Sequence, residues 1–94
     1  MEVIVTKKFV KELKPLPKPI QLAVKFVLIK LTQAKSLQDS GFDFTKMEGA
    51  KKDEKYYRIR VGDYRIGLEN KTPKIIIITI IHRSAVYKKF PPRN

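Results

Sequence analysis

No cysteine occurs in the 94 residues, which excludes disulfide staples and thiolate metal sites. His82 is the only histidine, so a zinc cage has too few ligands. The four glycines nowhere form a Gly-rich loop that cradles nucleotide phosphates. A nucleophile elbow is missing too, as is any pair of carboxylates set for acid–base work. No apolar run approaches the length needed to span a bilayer. The start, Met1-Glu2-Val3-Ile4-Val5, reads as a strand and not as a charged leader ahead of an apolar stretch. The expectation is a soluble cytoplasmic protein with no metal, no cofactor and no membrane contact.

Acidic residues are scarce: nine Asp and Glu stand against 21 Lys and Arg, a net charge of +12. A chain of this length makes one small domain, 1–94, with a modest core. So strong a charge on so small a domain implies an anionic partner. The two cations are not mixed. All five arginines (Arg58, Arg60, Arg65, Arg83 and Arg93) lie in the C-terminal part, and every basic residue before them is lysine. Arginine suits bidentate phosphate contacts, whereas lysine is a hydrated point charge.

The pattern predicts a strand over Glu2 to Val5, then a helix capped by Thr6 with Phe9, Val10, Leu13 and Leu16 on one stripe. Pro15 and Pro17 end it. A second helix opens with Pro19 in its first turn and runs to about Ala34. Its apolar residues occupy more than one face, so surface left over after packing is a candidate partner site. Phe42 to Gly49 alternates and reads as a short strand or extended lead-in; Ala50 to Lys55 reads as a charged loop. Ile75 to Ile81 is β-branched and apolar on both faces, a strand covered on both sides. Ser84 to Phe90 reads as a short basic tail. The order implies an α+β fold: an N-terminal strand and a helical hairpin packed on one face of a mainly antiparallel twisted sheet.

Between these elements, Tyr56 to Glu69 reads as a β-hairpin turning at Gly62-Asp63. Glycine in first place suits a type II′ turn. Val61 then faces Tyr64, Arg60 faces Arg65, Ile59 faces Ile66 and Arg58 faces Gly67. One face carries Tyr57, Ile59, Val61, Tyr64, Ile66 and Leu68; the other carries Arg58, Arg60 and Arg65. Opposed like charges are destabilising, and an anion held between them removes the penalty. With His82, Arg83 and Tyr87 at the exit of the long strand, the set fits metal-free RNA cleavage. The 2′-hydroxyl attacks the adjacent phosphorus, arginines stabilise the added charge, and an acid and a base move the protons. Histidine is the side chain type whose ordinary pKa lies nearest neutrality, which makes His82 one candidate. Tyr87 is the other candidate, and the residues do not say which is acid and which is base.

The run Tyr57-Arg58-Ile59-Arg60-Val61-Gly62-Asp63-Tyr64-Arg65-Ile66 resembles the signature hairpin of the RelE/ParE toxin superfamily. Lys46-Met47-Glu48-Gly49 and His82-Arg83-Ser84-Ala85-Val86-Tyr87 resemble its flanking segments, and order and spacing match along nearly the whole chain. The resemblance implies a RelE-like β-α-α-β-β-β toxin of a type II toxin–antitoxin system. RelE-like members cleave mRNA in the ribosomal A site; ParE-like members poison DNA gyrase and lack the nuclease residues. The His-Arg…Val-Tyr ending resembles the RelE side. By that resemblance Arg65 binds the scissile phosphate, and Arg83 and Tyr87 complete the site; with His82, the acid–base candidate at the strand exit, the expected catalytic set is Arg65, His82, Arg83 and Tyr87. Arg58, Arg60, Lys51, Lys52, Lys88 and Lys89 bind RNA. Some members carry lysine where Arg58 and Arg60 stand. Arginine does not give up its proton, so these two are binders and not bases. The resemblance also implies a cognate antitoxin with an acidic toxin-binding segment. Two alternatives stand beside this expectation: a ParE-like gyrase poison, and a non-catalytic RNA-binding module with a steep salt dependence.

Overall fold

The structure is a computed structural model that describes residues 1–47 and 55–90. Five strands form one sheet in the order β1-β5-β4-β3-β2. They are β1 (Glu2–Val5), β2 (Phe44–Lys46), β3 (Tyr56–Val61), β4 (Tyr64–Lys71) and β5 (Lys74–His82). All neighbours are antiparallel except β1, which runs parallel to β5 with Glu2 opposite Lys74 and Val5 opposite Ile77. The helical hairpin, α1 (Lys7–Leu13) and α2 (Lys18–Gln33), carries the chain over one face of the sheet, from β1 at one edge towards β2 at the other.

The helices form where the sequence signals them. Thr6 caps α1: its hydroxyl accepts from the Phe9 amide at 3.2 Å and donates to the Ile78 carbonyl at 2.8 Å. One side chain thus starts the helix and fastens it to β5. Pro19 sits in the first turn of α2, where a missing N–H goes unmissed. Phe9, Val24, Val27 and Leu31 pack from the helices onto Ile59, Ile66, Leu68, Ile75 and Ile77 of the sheet, forming the main core. The expected short strand is β2, confined to three residues.

The other face of the sheet is covered in part by a segment that the sequence pattern presents only as a basic tail. Val86–Lys89 forms a short helix, α3. Val86 and Phe90 are buried with Met47 and Ile81, and Tyr56 and Ile78 pack against them. Gly67 makes this possible. A Cβ at Gly67 would lie 2.9 Å from the Phe90 ring and 2.9 Å from Thr79 Cγ2, so only a residue without a side chain lets the ring settle on β4.

A β-bulge decides what the exit of β5 presents. The pairing with β4 shifts between Gly67 and Leu68: Leu68 pairs with Ile77 and Gly67 with Thr79. Ile78 is the extra residue. Ile75 and Ile77 face the helices before the bulge, and Ile80 does so after it. A one-residue insertion exchanges the faces of everything that follows. Beyond the end of β1, side chains from α1 cover the open edge of β5. Glu12 Oε1 accepts from the Thr79 hydroxyl and, at 3.4 Å, from the Ile80 amide. Lys8 Nζ donates to Thr79 Oγ1 at 3.1 Å and lies 3.6 Å from Glu12. Such edge capping blocks unwanted strand pairing.

Candidate nucleic-acid interface and active site

The hairpin has the expected register. Val61 pairs with Tyr64, Arg60 with Arg65, Ile59 with Ile66 and Arg58 with Gly67. Gly62 has φ of +58°, and no other residue type adopts positive φ among the described residues. A single positive value at the first turn position fits type II′.

Arg58, Arg60 and Arg65 therefore share one face, and they line a single pocket of about 150 Å³ with Asp43 and Thr45. The two extra residues come from β2 and its approach. Phe44 pairs with Ile59 and Thr45 with Arg58, and the Arg60 amide donates to the Asp43 carbonyl at 3.2 Å. Alternation then puts Asp43 and Thr45 on the arginine side. Arg65 is held from beneath. Its Nη1 donates to the carbonyls of Gly62 at 3.0 Å and Tyr64 at 2.9 Å, which fixes the guanidinium plane against the turn. Burial, then the fields of Arg60, Arg58 and Arg83, push its pKa below the ordinary arginine value, and Asp63 opposes them weakly. Arginine stays protonated through the physiological range all the same. The share of the depression that comes from the neighbouring guanidinium groups reflects crowding of positive charge, which an anion in the pocket relieves.

Arg83 joins this end of the sheet. Its amide donates to the Asp63 carbonyl at 2.8 Å, and its Nε lies 3.8 Å from Asp63 Oδ1. His82 does not join it. The residue pairs with Tyr64 on the helix side of the sheet, with the two rings edge to face at 5.6 Å. The strand exit thus brings Arg83 close enough for its charge to act on Arg65, though Arg83 does not line the arginine pocket, whereas the bulge turns His82 to the other face. The Ser84 amide donates to His82 Nδ1 at 3.2 Å, so in the neutral ring the proton sits on Nε2. Tyr87 belongs to α3; its side chain and that of Lys89 lie outside the described residues, as do Lys51 and Lys52. Lys88 is exposed on α3. Asp43 and Thr45 are site residues that sequence reasoning missed. Their signal was the alternation of Phe42 to Met47, which has meaning only once β2 is registered on β3.

The family described as the ParE toxin of the type II toxin-antitoxin system parDE matches residues 3–87. Toxin RelE3 of Methanocaldococcus jannaschii is 40% identical over 91 residues, covering 97% of this chain and all of that protein. The chain belongs to the RelE/ParE toxin superfamily. Solved relatives share its fold. The toxin in a RelB-RelE antitoxin-toxin complex from Methanococcus jannaschii is 36% identical, with a TM-score of 0.76 over 94% of this chain and 99% of that one. The corresponding values for an archaeal RelE-RelB complex from Pyrococcus horikoshii are 31%, 0.70, 90% and 97%. The RelE/ParE assignment explains the sheet order and the arginine hairpin together. No helix among the described residues is long and apolar enough to cross a membrane.

Proposed function

We propose that this RelE/ParE toxin is of the RelE type, an endoribonuclease that cleaves mRNA in the ribosomal A site and is neutralised by a cognate antitoxin. The observation that carries the proposal is the pocket that Arg58, Arg60 and Arg65 line together with Asp43 and Thr45. Three guanidinium groups suit a phosphodiester that gains negative charge as it is attacked. Arg65, pinned at Nη1, presents its remaining donors to the scissile phosphate. Asp43 is a carboxylate beside them and accepts the 2′-hydroxyl proton as the oxygen attacks phosphorus. The bond to the 5′ oxygen breaks, leaving a 2′,3′-cyclic phosphate, and the departing oxygen takes a proton. We assign that proton to Tyr87, since α3 packs on the arginine side of the sheet while His82 lies on the other. Arg83 adds its field at the same end. The relatives of known structure were solved with RelB antitoxins, which favours this reading over a gyrase poison.

The test uses programmed ribosomes, with the 5′ ends of the fragments mapped. Cuts in the A-site codon are expected, and Arg65→Ala lowers their rate by roughly 100-fold or more. Intact mRNA at every codon tested overturns the endonuclease reading. Stabilised gyrase–DNA cleavage complexes would replace it with the alternative.

A further inference from the structure

The chain leaves β5 through a short turn in which every amide is accounted for. Arg83, Ser84 and Ala85 connect His82 to the start of α3 at Val86. The Arg83 amide donates to the Asp63 carbonyl of the hairpin turn at 2.8 Å. The Ala85 amide donates to the His82 carbonyl at 2.9 Å. The Ser84 amide, between them, donates to the His82 ring at Nδ1, 3.2 Å away. The Ser84 hydroxyl lies 2.9 Å from the same nitrogen. His82 therefore satisfies two of the three amides, one with its carbonyl and one with its side chain.

A side-chain acceptor that meets the amide two residues on is the geometry of an Asx-turn, which Asn or Asp ordinarily makes. Here an imidazole takes that place. Tyr64, its partner across β4 and β5, meets the ring edge to face at 5.6 Å. Two functional groups hang on the turn. Arg83 stands at its first position, and its charge reaches Arg65. Helix α3 begins directly after it, with Val86 buried and Tyr87 next in the chain.

We propose that His82 is a positioning residue whose Nδ1 builds the turn that sets Arg83 and the start of α3 at the arginine end of the sheet. It moves no proton in the reaction. A ring that accepts from Ser84 at Nδ1 has only Nε2 left for chemistry, and the ring lies on the helix side of the sheet. The role needs an acceptor at the Nδ1 position and no titratable group. Asparagine meets that need, because its Oδ1 stands two bonds from Cβ, as Nδ1 does. Phenylalanine keeps a ring against Tyr64 and offers no acceptor. That the turn serves RNA cleavage rests on the function proposed above; that His82 builds the turn does not.

The test compares His82→Asn with His82→Phe, the fold of each checked by circular dichroism. Amide hydrogen exchange, followed by NMR on the free protein, reads the turn. The Ser84 amide is expected to be protected in the unsubstituted protein and in His82→Asn, and to exchange roughly tenfold faster or more in His82→Phe. Single-turnover cleavage on programmed ribosomes reads the consequence. His82→Asn is expected to stay within about threefold of the unsubstituted rate, and His82→Phe to fall roughly 10- to 100-fold as the groups beyond the turn lose their places. Where His82→Phe does not fold, His82→Asn decides alone. A folded His82→Asn protein that loses about 100-fold or more of the rate makes the imidazole a proton carrier and overturns the proposal. So does a Ser84 amide as exposed in the unsubstituted protein as in His82→Phe, or a His82→Phe protein that cleaves at the full rate, since the ring then only packs on Tyr64. Absence of cleavage by the unsubstituted protein, with the exchange pattern as expected, removes the endonuclease alone and leaves the turn assigned to His82.

Discussion

In the proposed cleavage reaction, Asp43 carries most of the chemistry that the arginines cannot. Three guanidinium groups can hold and polarise a phosphodiester, but none can take its 2′ proton. Asp43→Asn keeps the size and shape of the side chain and removes the base. Single-turnover cleavage on programmed ribosomes is expected to fall about 100- to 10,000-fold, with ribosome affinity kept or raised as a negative charge leaves the pocket. Loss of affinity with an unchanged cleavage rate would make Asp43 a binding residue only. Gly67 acts by having no side chain. In Gly67→Ala the new methyl would meet the buried Phe90 ring and Thr79 at 2.9 Å. Both are packed, so the cost is about 1–3 kcal/mol, to be read from urea denaturation; an unchanged midpoint would show that Phe90 can leave at no cost. The three arginines were legible in the sequence, because a glycine turn sets the register and the register sets the faces. Asp43 was not. Its strand is separated from β3 by a charged stretch of sequence that sets no register, and until β2 is registered either parity of Phe42 to Met47 can face the arginines.

At the scale of the element, β5 shows where pattern reading stops. Its β-branched run announces a strand buried on both faces, and it is one. The bulge after Ile77 leaves no mark in so uniform a row of isoleucines, yet it decides that His82 faces the helices and that the arginine side is left to other groups. The short helix α3 is similarly hidden, because the buried Val86 that opens it and Phe90 just beyond it sit in a basic stretch. Helix α1 was legible, with its cap named by Thr6. That hydroxyl makes two hydrogen bonds, to the Phe9 amide and the Ile78 carbonyl, and Thr6→Ala removes both. A loss of about 1–2 kcal/mol is expected, seen as a melting midpoint lower by roughly 4–16 °C for a domain of this size. A Thr6→Ser variant, which keeps the hydroxyl, should recover most of it.

For the whole molecule, the net charge of +12 opposes the compact state through self-repulsion and favours anionic surfaces. Salt acts on both in opposite directions. Raising sodium chloride from low to physiological strength is expected to raise the melting midpoint and to weaken association with ribosomes, steeply in log–log form. A ribosome affinity indifferent to salt would contradict the phosphate-binding role of the arginine face. The topology has its own consequence, which concerns synthesis. β1 has one partner, β5, and its register joins Glu2 to Lys74 and Val5 to Ile77. At about 5–20 residues per second the N-terminal strand waits roughly 4–14 s for that partner to be translated. Through that interval β1 has no sheet to enter, and β4 lacks a neighbour on the side that β5 will occupy. Chains that terminate before Lys74 keep both edges open permanently, so premature termination yields material prone to aggregate in place of a smaller active toxin.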